Sequence, residues 1–406
     1  MAAFELELAA AGPLASAAGG SPQSMENASE LMGRARQAAA LDDFGENSFR
    51  EGLEILLASV QAEARLSAMG EAVVQGQIVD LLTQRLKVED WYRRHPEIDE
   101  EEIVAPLIGL GLPRTGSTAF SCMLAEDPKI RFIRNWENMW PCPPPELATQ
   151  HTDPRIADAQ ARSVLSDQMA PRIKAMVPMS ATSPSECQNF MGYDFKSQLF
   201  QAFARAPTYS EWLHHKADLE PTYRYVKRVL KLLQWRCPPT RWRLKNPSHM
   251  PFIDALDKVF PDARFWMTHR DITQVLPSVA DVYYELTKGL TDDVDQAYIG
   301  RLNVECWEVG LQRLIAFRDR PGNEKRFFDV HFAPFQRDPM PQIAALYDWL
   351  GEPLTDVARE RMLAWRAATP RDKHGIHEYS GEAFGLDPDR LRERFGFYSE
   401  RFGVAA

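Results

Sequence analysis

The stretch Gly111-Leu112-Pro113-Arg114-Thr115-Gly116-Ser117-Thr118 constrains this chain more than any other. It follows the apolar run from Ile103 to Leu110 and precedes a helix-like segment from Ala119 to Leu124. A buried strand, a glycine-bounded loop and a helix N-terminus together form a cradle, in which backbone N–H groups and the helix dipole face one anion. The spacing is that of a phosphate loop, G-x-x-x-x-G-K-[ST], with Ser117 where the lysine that reaches the β- and γ-phosphates belongs. Such a loop can hold a phosphate and is poorly equipped for a triphosphate. Arg114 offers a guanidinium fork, and Thr115, Ser117 and Thr118 offer hydroxyls beside the Gly116 turn. Taken alone, the same pattern also describes a tight strand-to-helix turn without a ligand.

The rest of the chain repeats the strand-then-helix rhythm. Trp242 to Lys245 reads as a short strand stopped by Asn246-Pro247, and Pro251 to Phe260 reads as a helix. Ala263 to Thr268 reads as a buried strand ending at His269-Arg270-Asp271, followed by a helix through Val275, Val279 and Val282. Lys325 to Val330 is a further strand. Alternation of this kind predicts a parallel sheet, which binds ligands beyond the C-terminal ends of its strands. The expected fold is α/β: a P-loop-like three-layer domain over 103–406 with a central parallel sheet and a helical C-terminal part. A helical N-terminal segment over 25–102 precedes it, with Leu53, Leu56, Leu57 and Val60 at helical spacing. Residues 1–24, rich in Ala, Gly and Ser, read as a disordered tail.

Composition narrows the partners. The net charge of −10 over 406 residues argues against nucleic acid or an anionic membrane surface, so any polyanionic ligand needs a local positive site. No apolar run reaches the ~20 residues of a membrane helix. Five scattered cysteines without C-x-x-C spacing read as reduced thiols, and the chain as cytoplasmic. His374 and His377 stand at metal-ligand spacing without a further ligand cluster, and no metal is expected.

A second constellation gives the loop its meaning. Arg270 ends a strand, and Ser278 follows eight positions later in the next helix. Either residue alone reads as an ordinary surface arginine or helix serine. Together with the loop they make two anion sites on one sheet edge, suited to a nucleotide with 5′ and 3′ phosphates. Leu112 to Thr118, and Phe260-Pro261-Asp262-Ala263-Arg264 through Arg270 to Ser278, resemble the two nucleotide motifs of the sulfotransferases that use 3′-phosphoadenosine 5′-phosphosulfate. The resemblance covers about residues 40 to 400 and leans toward the bacterial branch related to tyrosylprotein sulfotransferases.

The resemblance implies transfer of a sulfuryl group to a hydroxyl or amine acceptor by in-line displacement. It implies that Lys245, in Leu244-Lys245-Asn246-Pro247, stabilises charge on the leaving nucleotide, and that Glu137, in Asn135-Trp136-Glu137-Asn138, takes the acceptor's proton. His249 is the rival base. Glu137 also fits a cap or a salt-bridge partner of Arg131 or Arg134. The acceptor is expected to be a small molecule or peptide, partly apolar, entering near Trp136 and Trp140. The aromatic stretch Glu186 to His215 fits either core or an acceptor lid. A divergent P-loop kinase or NTPase and a non-catalytic nucleotide binder are the alternatives.

Overall fold

The computed structural model describes residues 25–169, 171–176, 180–370 and 380–404. The tail expected over 1–24 lies outside them, as do His374 and His377. The chain divides into two compact units. One holds the residues up to Ile103, Ile133–Pro238 and Tyr283–Val294; the other holds Val104–Phe132, Pro239–Val282 and Asp295–Ala406. The N-terminal helices share their unit with 133–238.

The second unit contains the sheet. Its four strands are β1 (Leu107–Gly111), β2 (Arg243–Lys245), β3 (Arg264–His269) and β4 (Phe327–His331). Their order is β2-β1-β3-β4 and every pairing is parallel. β1 begins only at Leu107, later than the apolar run suggests, because Pro106 lacks an N–H and Ala105 is left-handed at φ 42°. The chain leaves β1 for β2 on one side and then crosses to β3 on the other. β1 and its neighbours are therefore the switch point at which ligands bind in such sheets. The register sets Gly109 opposite Trp266, and a Cβ at Gly109 would come within 2.2 Å of that indole.

A buried apolar cluster packs on one face of the sheet. Phe120, on the helix Ser117–Leu124, packs 4.7 Å from the Trp266 ring and 5.4 Å from Phe335. Leu107, Met123, Val330, Ile343 and Leu346 complete this buried cluster. The segment Pro251–Phe260 is split: Pro247–Phe252 winds as a 3-10 turn, since Pro251 cannot donate, and the α-helix runs over Ile253–Val259.

The first unit is helical. Its long helices are Ala28–Ala39, Ser48–Glu63, Ala68–Arg94, Arg155–Met169 and Glu220–Gln234. Asn27 and Ser67 cap the first and third by accepting from Glu30 and Gly70 N–H groups. Leu53, Leu56, Leu57 and Val60 are all buried, as their spacing predicts. The aromatics of 186–215 are core: Phe190, Tyr193, Phe195, Phe200, Tyr209 and Trp212 are buried, and Phe195 stacks on Phe200 at 5.7 Å. The five cysteines are free thiols. Among the described residues, no helix is long and apolar enough to cross a membrane.

Candidate active site

The sheet unit brings the loop, Lys245, Arg270 and Ser278 to the C-terminal ends of adjacent strands. Three left-handed residues shape the loop after β1: Gly111 at φ 112°, Arg114 at 64° and Gly116 at 85°. A non-glycine residue in that region carries backbone strain and marks a functional turn. Gly116 caps the helix Ser117–Leu124, and a Cβ there would approach the Phe332 ring at 3.1 Å. Ser117 and Thr118 are the first two helical residues, where backbone N–H groups lack intrahelical acceptors.

Thr115 differs from the expectation. Its hydroxyl is buried, donates to the Leu112 carbonyl at 2.6 Å and meets the Thr268 hydroxyl at the end of β3. That hydroxyl pins the loop to the sheet; what Thr115 offers a ligand is its backbone. Thr268 was missed in the sequence because its partner lies 153 positions away.

Arg114 joins the two constellations. Its Nε donates to Ser278 Oγ at 3.1 Å, and its carbonyl accepts from Arg270 Nη1 at 2.9 Å. Arg114, Arg270 and Ser278 are therefore one clasp rather than separate anion sites. The Arg270 guanidinium lies 4.5 Å from the Phe332 ring centroid, and its backbone N–H donates to the Tyr398 hydroxyl at 3.3 Å. Ser278 is buried, whereas both arginines are half-buried and keep part of their surface in solvent. Two guanidinium groups and a hydroxyl have the chemistry to pair with a phosphate dianion.

Lys245 ends β2 opposite Gly109 and is buried. The next residue fixes the strand end: Asn246 N–H donates to the Gly109 carbonyl at 3.0 Å, and its side chain accepts from Ser248 N–H at 3.1 Å. Cys122 lies within the Lys245 field, yet burial pushes its thiol up to about 12, so it is no nucleophile at neutral pH. His249 is fully buried, and burial pushes its ring down to about 3, which makes it a weak base.

Glu137 belongs to the helical unit, on the short helix Asn135–Met139. It is fully buried. Oε2 accepts from the Arg134 backbone N–H and Oε1 from Arg134 Nη1, both at 2.9 Å. This is the cap and salt-bridge geometry that the sequence also allowed. Trp136 is buried outright under the Arg155 guanidinium, at 4.5 Å, so it forms core rather than a doorway; Trp140 is half-buried.

Comparison with known proteins identifies the family. The model of the "Sulfotransferase family" matches residues 106–356, which hold the loop, Lys245, the clasp and all four strands. Sulfotransferase STF9 of Mycobacterium avium is 32% identical with a TM-score of 0.87, over 95% of this chain and 99% of that one. Sulfotransferase STF1 of Mycobacterium tuberculosis is 29% identical with a TM-score of 0.79, over 92% of this chain and 99% of that one. No curated protein matches the sequence. The chain belongs to the sulfotransferase family and is a sulfotransferase.

Proposed function

We propose that this sulfotransferase takes its sulfuryl group from 3′-phosphoadenosine 5′-phosphosulfate and passes it, by in-line displacement, to a hydroxyl or amine of a partly apolar small molecule or peptide in the cytoplasm. The observation that carries the donor assignment is the clasp of Arg114, Arg270 and Ser278 beside a strained phosphate loop. The loop amides and the helix N-terminus suit the 5′-phosphosulfate, and the clasp suits the 3′-phosphate.

In the proposed step the acceptor oxygen forms a bond to sulfur as the bond between sulfur and the bridging phosphate oxygen breaks. The electron pair leaves on that oxygen, where Lys245 stabilises the charge. The acceptor proton passes to a base, and Glu137 is the proposed one. General-base catalysis of this kind contributes roughly 10²–10⁴-fold.

The donor is tested by thermal stabilisation with adenosine 3′,5′-bisphosphate against ADP with Mg²⁺. The bisphosphate should stabilise more, and Arg270→Ala should abolish the preference. Stronger stabilisation by ADP with Mg²⁺ overturns the donor assignment. Glu137→Gln separates the two roles of that residue, because the amide oxygen can still accept from Arg134 N–H. Loss of turnover at unchanged melting temperature supports the base. Turnover that merely follows the folded fraction leaves Glu137 a structural cap.

A further inference from the structure

Two arms of the clasp come from one stretch of chain, and an unusual residue lies between them. Helix Ile272–Thr287 follows β3, and Pro277 is buried at its sixth position, immediately before Ser278. Proline is the least favourable residue a helix interior can carry. It has no N–H for the Thr273 carbonyl four residues back, and its ring presses on that carbonyl. Helices bend at such positions. A local rule broken inside an otherwise regular element points to a place where aim matters more than helix stability.

The contacts on either side show what this turn separates. Before it, the helix start is tied to the strand end. The Asp271 carboxylate accepts from the Thr273 N–H at 2.9 Å and from the Thr273 hydroxyl at 2.7 Å, and the Asp271 carbonyl accepts from the Gln274 and Val275 N–H groups at 3.0 and 3.1 Å. Arg270, the residue before Asp271, reaches the Arg114 carbonyl at 2.9 Å. After the turn, buried Ser278 accepts from Arg114 Nε at 3.1 Å. Both arms therefore meet Arg114, on the loop after β1. In an unbroken helix the place of Ser278 would follow from that of the Asp271 turn alone; the missing hydrogen bond at Pro277 lets Arg114 set it. The proline ring also has a seat, since a Cβ at Gly381 would come within 3.2 Å of Pro277 Cγ. That seat needs bulk and not a missing N–H, so valine, close to proline in volume, would serve it equally.

We propose that Pro277 is a positioning residue, which sets the Ser278 hydroxyl for the Arg114 guanidinium and the 3′-phosphate. That the anion is a 3′-phosphate rests on the donor proposed above; the setting of Ser278 against Arg114 does not. Pro277→Val and Pro277→Ala test it, because each restores the N–H and valine also keeps the bulk. By isothermal titration each variant should bind adenosine 3′,5′-bisphosphate about tenfold more weakly, the equivalent of one hydrogen bond. Binding of adenosine 5′-phosphosulfate, which has no 3′-phosphate, should stay unchanged. In a chain that already carries Ser278→Ala, Pro277→Val should cause no further loss, because the residue acts through that hydroxyl. Without any nucleotide, the Arg114 Nε–H, assigned in NMR spectra by its loss in Arg114→Lys, should exchange with water faster in both variants than in the parent chain. Unchanged bisphosphate affinity, equal loss for both nucleotides, a full further loss on top of Ser278→Ala, or unaltered Arg114 exchange overturns the proposal. So does a lower melting temperature in Pro277→Val, which would make the ring a packing element only. Should the parent chain fail to bind the bisphosphate, the donor assignment falls while the Arg114 exchange still decides Pro277.

Discussion

Two arginine clusters show what burial does to a charge. In the helical unit, Arg85 is wholly buried and donates to the carbonyls of Phe44, Tyr193 and Glu46 at 2.7, 3.0 and 2.8 Å. Its guanidinium lies 4.1 Å from the Tyr225 ring centroid and 3.6 Å from the Asp194 carboxylate. Asp194, also fully buried, meets Lys196 at 3.4 Å and accepts from Thr222 at 2.7 Å and from Ser48. In the sheet unit, half-buried Arg114, on a loop with left-handed residues, donates to the Ser278 hydroxyl, and its carbonyl accepts from half-buried Arg270. A cation saturated by fixed partners is scaffold. A cation still reached by solvent can also meet a ligand.

Removing Asp194 probes the scaffold side of this contrast. Asp194→Ala leaves Arg85 and Lys196 charged in a dry interior, and should destabilise the protein by about 3–5 kcal/mol in urea unfolding. A loss below about 1 kcal/mol, the value of an exposed pair, would break the distinction. Lys245→Ala probes the other side. Turnover should fall roughly 10²–10³-fold, as when one charge-stabilising group is deleted. The melting temperature and bisphosphate affinity should barely change. Unaltered turnover removes Lys245 from the mechanism; collapse of the fold makes it scaffold like Arg85.

The same contrast explains what could be read from the sequence. The loop, the strand ends and the Arg270–Ser278 spacing are local patterns in which backbone geometry dictates residue type. β1 to β4 and the loop helix therefore lie within a few residues of their predicted places. Partnerships across the chain left no such mark. Tyr398 reaches Arg270 over 128 positions, and Thr115 reaches Thr268 over 153. The aromatic stretch Glu186 to His215 proved to be packing.

Acid should weaken the sheet unit through its two buried histidines, His249 and His269. Burial pushes His249 to about 3 from 6.5, and lowers His269 in the same direction despite its bond to Asp329. Below pH 6.5 the unfolded chain binds protons that the folded chain refuses, so stability declines as pH falls through that window. The slope is up to about 1.4 kcal/mol per pH unit for each histidine. Carboxylates held low, such as Asp329 and Glu324, contribute only at lower pH. Between pH 4.5 and 6.5 the decline should therefore be histidine-driven, and His249→Gln should flatten it in chemical unfolding followed across pH. An unchanged slope would mean that His249 gains no proton on unfolding.

The smallest expected effect lies at Tyr398, on the helix Gly396–Phe402. Its hydroxyl accepts from Arg270 N–H at 3.3 Å and donates to the Arg270 carbonyl at 3.4 Å, while its ring stacks 5.8 Å from His269. It touches the backbone of a clasp residue and no more of the clasp than that, which makes it a positioning residue. Tyr398→Phe keeps the ring and deletes two long hydrogen bonds, together worth about 1 kcal/mol. Affinity for adenosine 3′,5′-bisphosphate should fall severalfold, and affinity for adenosine 5′-phosphosulfate, which lacks the 3′-phosphate, should not move. Equal loss for both nucleotides would show that Tyr398 supports the unit generally. Loss confined to the bisphosphate would show that the clasp, unlike the Arg85 cluster, depends on a distant residue for its aim rather than for its charge balance.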